Sequence, residues 1–218
     1  MITIFQHGKD ESGGEIETYL EESAISYTVV RLYETNEIPA EIPANLIVLG
    51  GQMSVNDIGE YPYFTREKEI IRKMVAGQKP VFGICLGAQM IASAFGERVF
   101  PSTSERGWRR VWENPPGNIS LFRNPCNVFH WHNETFNLPK QAILLLRGEL
   151  VHNQAFRLGR AVGVQFHPEV TMQIISRWSK ELSPRERGRL LKDSEHEISG
   201  SKERCRTLTE KFLHGWGS

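Results

Sequence analysis

The residue best placed to do chemistry is Cys85, in the run Gly83-Ile84-Cys85-Leu86-Gly87. This G-x-C-x-G spacing is the thiol counterpart of the G-x-S-x-G nucleophile elbow, in which a strand turns sharply into a helix with the nucleophile at the tip. Glycines two before and two after the tip remove side chains that would collide across the turn. The helix begins directly after Cys85, so its free N–H groups lie near the sulfur. They favour a thiolate and can hold a developing oxyanion. The competing reading is an inert core cysteine buried after a central strand.

A thiol nucleophile needs a base and a group that orients the base. His167 stands where an apolar strand ends, in Gln165-Phe166-His167-Pro168-Glu169. That is the end at which an open α/β sheet places its site. Pro168 biases His167 towards extended backbone, and residues i and i+2 of an extended stretch share a side. Glu169 is thus in reach of the His167 ring and able to select its tautomer. The competing reading is a strand-end histidine held in a turn. Gly50-Gly51 ends another apolar run and permits a loop that turns N–H groups towards a bound carbonyl. His130-Trp131-His132 has metal-ligand residue types, but without a third ligand nearby in the chain no metal site is expected. Lining a substrate pocket or packing a loop suits it better.

The elements that must position these groups follow from periodicity. Apolar or β-branched runs predict strands at Met1 to Gln6, Tyr27 to Leu32, Leu46 to Leu49, Pro80 to Ile84 and Ala161 to Phe166. Helical spacing predicts helices at Gly13 to Ser23, Arg66 to Ala76, the stretch after Cys85, and Val170 to Leu182. This alternation predicts an α/β fold: a three-layer sandwich with helices on both faces of a mostly parallel central sheet. Between Arg98 and Phe156 shorter strand-like pieces (Arg110 to Trp112, Ile119 to Phe122, Val128 to Trp131, Ala142 to Leu146, Gln154 to Phe156) predict further strands, some antiparallel. Ser183 to Ser201 is charged and carries Pro184 and Gly188, which predicts a surface loop with a short helix. Lys202 to His214 predicts a closing helix. Residues 1–218 therefore read as a single domain with a charged C-terminal helical extension from about 183.

Composition narrows the function classes. Lys plus Arg number 26 and Asp plus Glu 26, so net charge is zero and neither nucleic acid nor a membrane surface is an expected partner. No apolar run is long enough to span a bilayer, and the first apolar run is too short for a signal peptide. The 3 cysteines are too scattered for a disulfide framework and suit a reducing cytoplasm.

Taken together, Leu49-Gly50-Gly51-Gln52-Met53-Ser54, the elbow Gly83 to Gln89 and the late Phe166-His167-Pro168-Glu169 resemble, in order and spacing, the marks of class I glutamine amidotransferases. The likeness is greatest to stand-alone, GMP-synthase-like members, and covers roughly residues 1 to 185. It implies a flavodoxin-like three-layer fold and a triad of Cys85, His167 and Glu169 that hydrolyses the glutamine side-chain amide through a γ-glutamyl thioester. It also implies an oxyanion hole from the N–H groups of Gly51 and Leu86. Gln89, Trp131, Asn133 and Glu134 would hold the amino-acid end of the substrate. No cofactor is implied. The chain has no nucleotide-binding Gly-rich loop, so the ammonia acceptor, a synthetase subunit, is either on another polypeptide or does not exist. The alternatives are a γ-glutamyl peptidase with the same triad and a non-catalytic binding protein on the same fold. One departure stands out: Gln52 occupies a position where the family usually has proline, which loosens the loop and adds a donor.

Overall fold

The computed structural model describes residues 1–114, 120–123 and 125–216. A single sheet of nine strands forms among them, in the order β2-β1-β3-β4-β9-β8-β7-β5-β6. Five of these strands are mutually parallel: β1 (Ile2–Gln6), β2 (Tyr27–Arg31), β3 (Asn45–Val48), β4 (Val81–Ile84) and β9 (Ala161–Val164). From β9 onward the pairing turns antiparallel, through β8 (Asn153–Leu158), β7 (Ile143–Gly148), β5 (Val99–Glu113) and β6 (Cys126–Phe136). The sheet is thus mixed.

The period-2 alternation of the parallel strands makes two cores. Ile2, Ile4, Ile47, Phe82, Ile84, Val162 and Val164 face one side. There they meet Ile16 and Leu20 of α1 (Glu15–Glu22) and Cys205, Leu208 and Phe212 of α6 (Pro184–Leu213). Phe5, Leu46, Val48, Val81 and Ala161 face the other. They pack on Ile70, Ile71 and Met74 of α3 (Tyr63–Ala76) and Met90, Ile91 and Ala92 of α4 (Leu86–Ala94). Burying one such side chain, Phe82 or Phe212, contributes about 1.5–3 kcal/mol. The short α2 (Leu32–Thr35) follows β2, and α5 (Met172–Trp178) runs into a 3₁₀ turn at Ser179–Glu181.

The charged C-terminal stretch corrects the expected loop. It is one helix of 30 residues. Pro184 sits in its first turn, where a missing N–H costs nothing, and Ser183 and Glu186 form a capping box. Gly188 meets no neighbour and is tolerated as an exposed helical glycine. Leu190, Ser194, Ser201, Cys205, Leu208 and Phe212 recur at helical spacing and make the buried stripe. Arg206 bridges to Glu15 and Glu22, which fastens α6 to α1.

Two further expectations change. The piece at Arg110 to Trp112 belongs to a 15-residue strand that pairs with an 11-residue one. Ile119, the first residue of the strand expected to Phe122, lies outside the described residues, and Ser120 to Phe122 are irregular.

Candidate active site

Cys85 stands between β4 and α4 with φ 50° and ψ −103°. A non-glycine residue there is strained by about 1–3 kcal/mol. The surroundings enforce it. The Cys85 N–H donates to the carbonyl of Val164, 2.8 Å, and its own carbonyl accepts from Gln89 N–H, 3.0 Å. A β carbon on Gly83 would come within 2.5 Å of the Gly87 carbonyl oxygen, and one on Gly87 within 2.1 Å of the Val48 carbonyl oxygen. Only glycine at both lets α4 descend directly from the strand tip.

His167 and Glu169 lie beyond the end of β9, both buried. Nδ1 of His167 lies 2.7 Å from Oε1 of Glu169, which leaves Nε2 as the ring nitrogen for other partners. Cys85 lies beside the ring, close enough for its sulfur to act on His167 electrostatically. Burial disfavours a charged ring, but Glu169 and Cys85 outweigh it, and the imidazole is held well above its ordinary pKa. The ring is fixed on several sides. Trp178 meets it edge to face at 4.9 Å. The His167 N–H donates to the Phe129 carbonyl, 2.7 Å. A β carbon on Gly50 would fall 2.9 Å from His167 Cε1 and 3.7 Å from Cys85 Cβ, so a side chain there would wedge ring and thiol apart. The Glu169 carbonyl accepts from Glu15 N–H, 2.9 Å. The other cysteines are different. Burial pushes the Cys126 thiol up and the wholly buried Cys205 thiol well up.

A cavity of about 470 Å³ opens on Cys85 and His167. Gly51, Gln89, Trp131, Asn133 and Glu134 line it, so the structure brings these sequence-predicted residues together. The Leu86 side chain is buried and does not line the cavity; it packs beside Gly51, where a β carbon would lie 2.7 Å from Leu86 Cδ2. The Leu86 N–H belongs to the first turn of α4, which has no intrahelical acceptor. Glu134 accepts from Ser54 Oγ, 3.1 Å, and burial raises its carboxyl pKa. Gln52 spends its extra donor on Glu11: Nε2 lies 2.8 Å from Glu11 Oε1 and ties the Gly-Gly loop to the first strand-helix connection.

Sequence reasoning missed Gln165, Trp178 and Glu105. Gln165 is fully buried, with Nε2 3.7 Å from Cys85 Sγ and Oε1 accepting from Gln89 Nε2, 3.5 Å. The i, i+2 rule that linked His167 to Glu169 also links Gln165 to His167 and would have found it. Trp178 comes from α5 and carries no local signal. Glu105 joins His130 and His132 across paired strands, supplying the third ligand type that the chain order hides.

The family model for class-I glutamine amidotransferase matches residues 12–176. The chain belongs to that family. The glutamine amidotransferase-like protein YfeJ of Salmonella typhimurium is 32% identical over 180 residues, covering 78% of this chain and 75% of the relative. One component of the glutamine-hydrolyzing GMP synthase of Methanobrevibacter smithii is 31% identical over 140 residues, 62% of this chain and 68% of the relative. The crystal structure of a glutamine amidotransferase from Thermotoga maritima superposes with a TM-score of 0.87 at 30% identity, over 97% of each chain. Among the described residues no helix is long and apolar enough to cross a membrane.

Proposed function

We propose that this chain is a glutamine amidohydrolase that releases ammonia for a separate synthetase. The observation that carries the reading is the meeting of a strained, helix-capping Cys85 with the buried His167–Glu169 pair at one cavity. Cys85 Sγ attacks the side-chain amide carbon with its proton already held by His167. The carbon–nitrogen bond breaks, His167 returns the proton to the leaving nitrogen, and ammonia departs from a γ-glutamyl thioester. Water, deprotonated by the same ring, then splits the thioester to glutamate and free thiol. Glu169 keeps His167 Nδ1 protonated and supports the imidazolium. The N–H groups of Leu86 and Gly51 hold the oxyanion, and Gln89, Trp131, Asn133 and Glu134 hold the amino-acid end. The synthetase partner is inferred from the relative named as a component of GMP synthase.

The cavity is of the size that takes ligands larger than one amino acid, which favours γ-glutamyl peptides as the competing substrate class. Glutamate release by the purified chain from glutamine and from glutathione, with Cys85→Ala as control, tests both. Release from glutamine is expected. Preference for glutathione replaces this reading with a peptidase, and equal release by Cys85→Ala ends the thioester mechanism. Silence on both substrates with Cys85 unreactive to iodoacetamide makes the chain a binding protein.

A further inference from the structure

We infer that Glu105, His130 and His132 form a site for one divalent transition-metal ion, with zinc as the reference ion, behind the part of the cavity wall that His132 lines. The inference stands apart from the amidohydrolase reading, because it uses no group assigned to that chemistry.

Strand pairing builds the cluster. His130 and His132 are alternate residues of β6 and share a face. Glu105 pairs directly with His132 across to β5, just past a register shift between Pro101 and Glu105 that re-aims the β5 side chains. All three side chains are almost wholly buried.

The separations form a nearly regular triangle. Nδ1 of His130 is 3.3 Å from Nε2 of His132, which is 3.1 Å from Oε2 of Glu105, and that oxygen is 3.5 Å from Nδ1 of His130. A zinc ion with bonds of about 2.0–2.1 Å sets its tetrahedral ligand atoms about 3.3–3.4 Å apart. Two imidazoles and a carboxylate suit zinc and its first-row neighbours, and not calcium or magnesium.

Proton bookkeeping points the same way. His132 Nδ1 lies 3.2 Å from the Glu134 carbonyl, which only accepts, so Nδ1 carries the proton. Nε2 of the neutral ring then presents a lone pair to a carboxylate oxygen, two acceptors in contact, with His130 Nδ1 the one possible donor between them. Glu105 Oε2 already accepts from Gln154 Nε2, 2.8 Å. Gln154 Oε1, on the same amide, is buried without a hydrogen-bond partner among the described residues. A cation at the centre of the triangle turns the repulsion into bonds. A proton on His130 Nδ1, or a second one on His132, would also relieve it, and these metal-free hydrogen-bonded arrangements are the alternative to be tested.

The site's position gives it a role. His132 holds the Glu134 carbonyl, which also accepts from Gln89 Nε2, 3.4 Å. A bound ion would fix β5 to β6 and set this part of the cavity wall.

The test uses the full chain without an affinity tag, dialysed against a chelator and titrated with Co²⁺ and then Zn²⁺. One equivalent of Co²⁺ should bind, with visible d–d bands and no sulfur-to-metal charge transfer. The spectrum should persist in Cys85→Ser, and Zn²⁺ should displace the cobalt and raise the melting temperature. His130→Gln and Glu105→Gln should each weaken binding about 100-fold or more. Circular dichroism checks their folding, and Glu105→Asp replaces any variant that does not fold. Less than a stoichiometric equivalent bound by the parent chain overturns the proposal in favour of a metal-free hydrogen-bonded arrangement. So does a sulfur band lost in Cys85→Ser, or unchanged affinity in the cluster variants.

Discussion

The two halves of the sheet do different work. In the parallel half, the groups proposed for the chemistry sit at strand ends: Cys85 after β4, Gly50 and Gly51 after β3, and His167 after β9. Each is announced by its own local sequence, although neighbouring strands hold it in place. In the antiparallel half, the cavity wall is built from the middles of long strands, and each side chain depends on a partner distant in sequence. Glu105 reaches His132 and Gln154, Glu134 meets Ser54, and Asn56 Nδ2 donates to the Val99 carbonyl, 3.1 Å. On the proposed reading, chemistry is concentrated where the backbone turns most sharply, and recognition where side chains meet across strands.

If that division holds, substitutions in the parallel half should abolish thiol reactivity and turnover together. Cys85→Ala should lower glutamate release by roughly 10⁴-fold or more. Iodoacetamide labelling should vanish with it, since Cys126 and Cys205 are held protonated by burial. A change of less than tenfold in release would break the comparison outright.

Next in size is Glu169→Gln, expected to cost about 10²- to 10⁴-fold in kcat. The variant also carries a pH signature. The folded state holds the His167 proton more tightly than the unfolded chain does, with Glu169 opposing the burial penalty. The resulting stabilisation is fully present below the unfolded value of about 6.5 and is lost as pH rises through the raised folded value. Urea unfolding should therefore show the largest gap between parent and variant near pH 6, narrowing at alkaline pH. A gap that widens with pH would mean His167 is neutral in the fold.

The same contrast explains what is legible in the sequence. Cys85, His167 and Glu169 stand out because elbow spacing and i, i+2 geometry are local. The parallel strands stand out because each is a short apolar run bounded by turns. The long β5 does not, because Arg106, Arg109 and Arg110 break its apolar pattern where its face is exposed. Glu105 is invisible because only the register of β5 on β6 sets it beside His132. The C-terminal helix is disguised as a loop because Pro184 breaks a helix interior but starts a helix well.

In the antiparallel wall, smaller and separable effects are expected. Gln89 stands on α4 but reaches across to the Glu134 carbonyl and Gln165. Gln89→Ala should raise KM for glutamine about tenfold, as for one or two lost hydrogen bonds, and leave the iodoacetamide rate at Cys85 unchanged. A matching fall in alkylation would place Gln89 with the reactive half.

The smallest effect belongs to the seam between the halves, the Gln52–Glu11 contact of 2.8 Å. Gln52 is exposed, so its net worth to stability is at most about 1 kcal/mol. Its leverage is on the neighbouring Gly51 N–H, one residue away on a loop that the contact tethers. Gln52→Ala and Glu11→Ala should each lower kcat by about 2- to 10-fold, the equivalent of one hydrogen bond, with alkylation of Cys85 unaltered. If the tether acts as one unit, the double variant is no worse than either single one. Additive losses would instead mean that the two side chains act separately, and that the loop is held by its own backbone and by the close packing of Gly51 on Leu86 and His7.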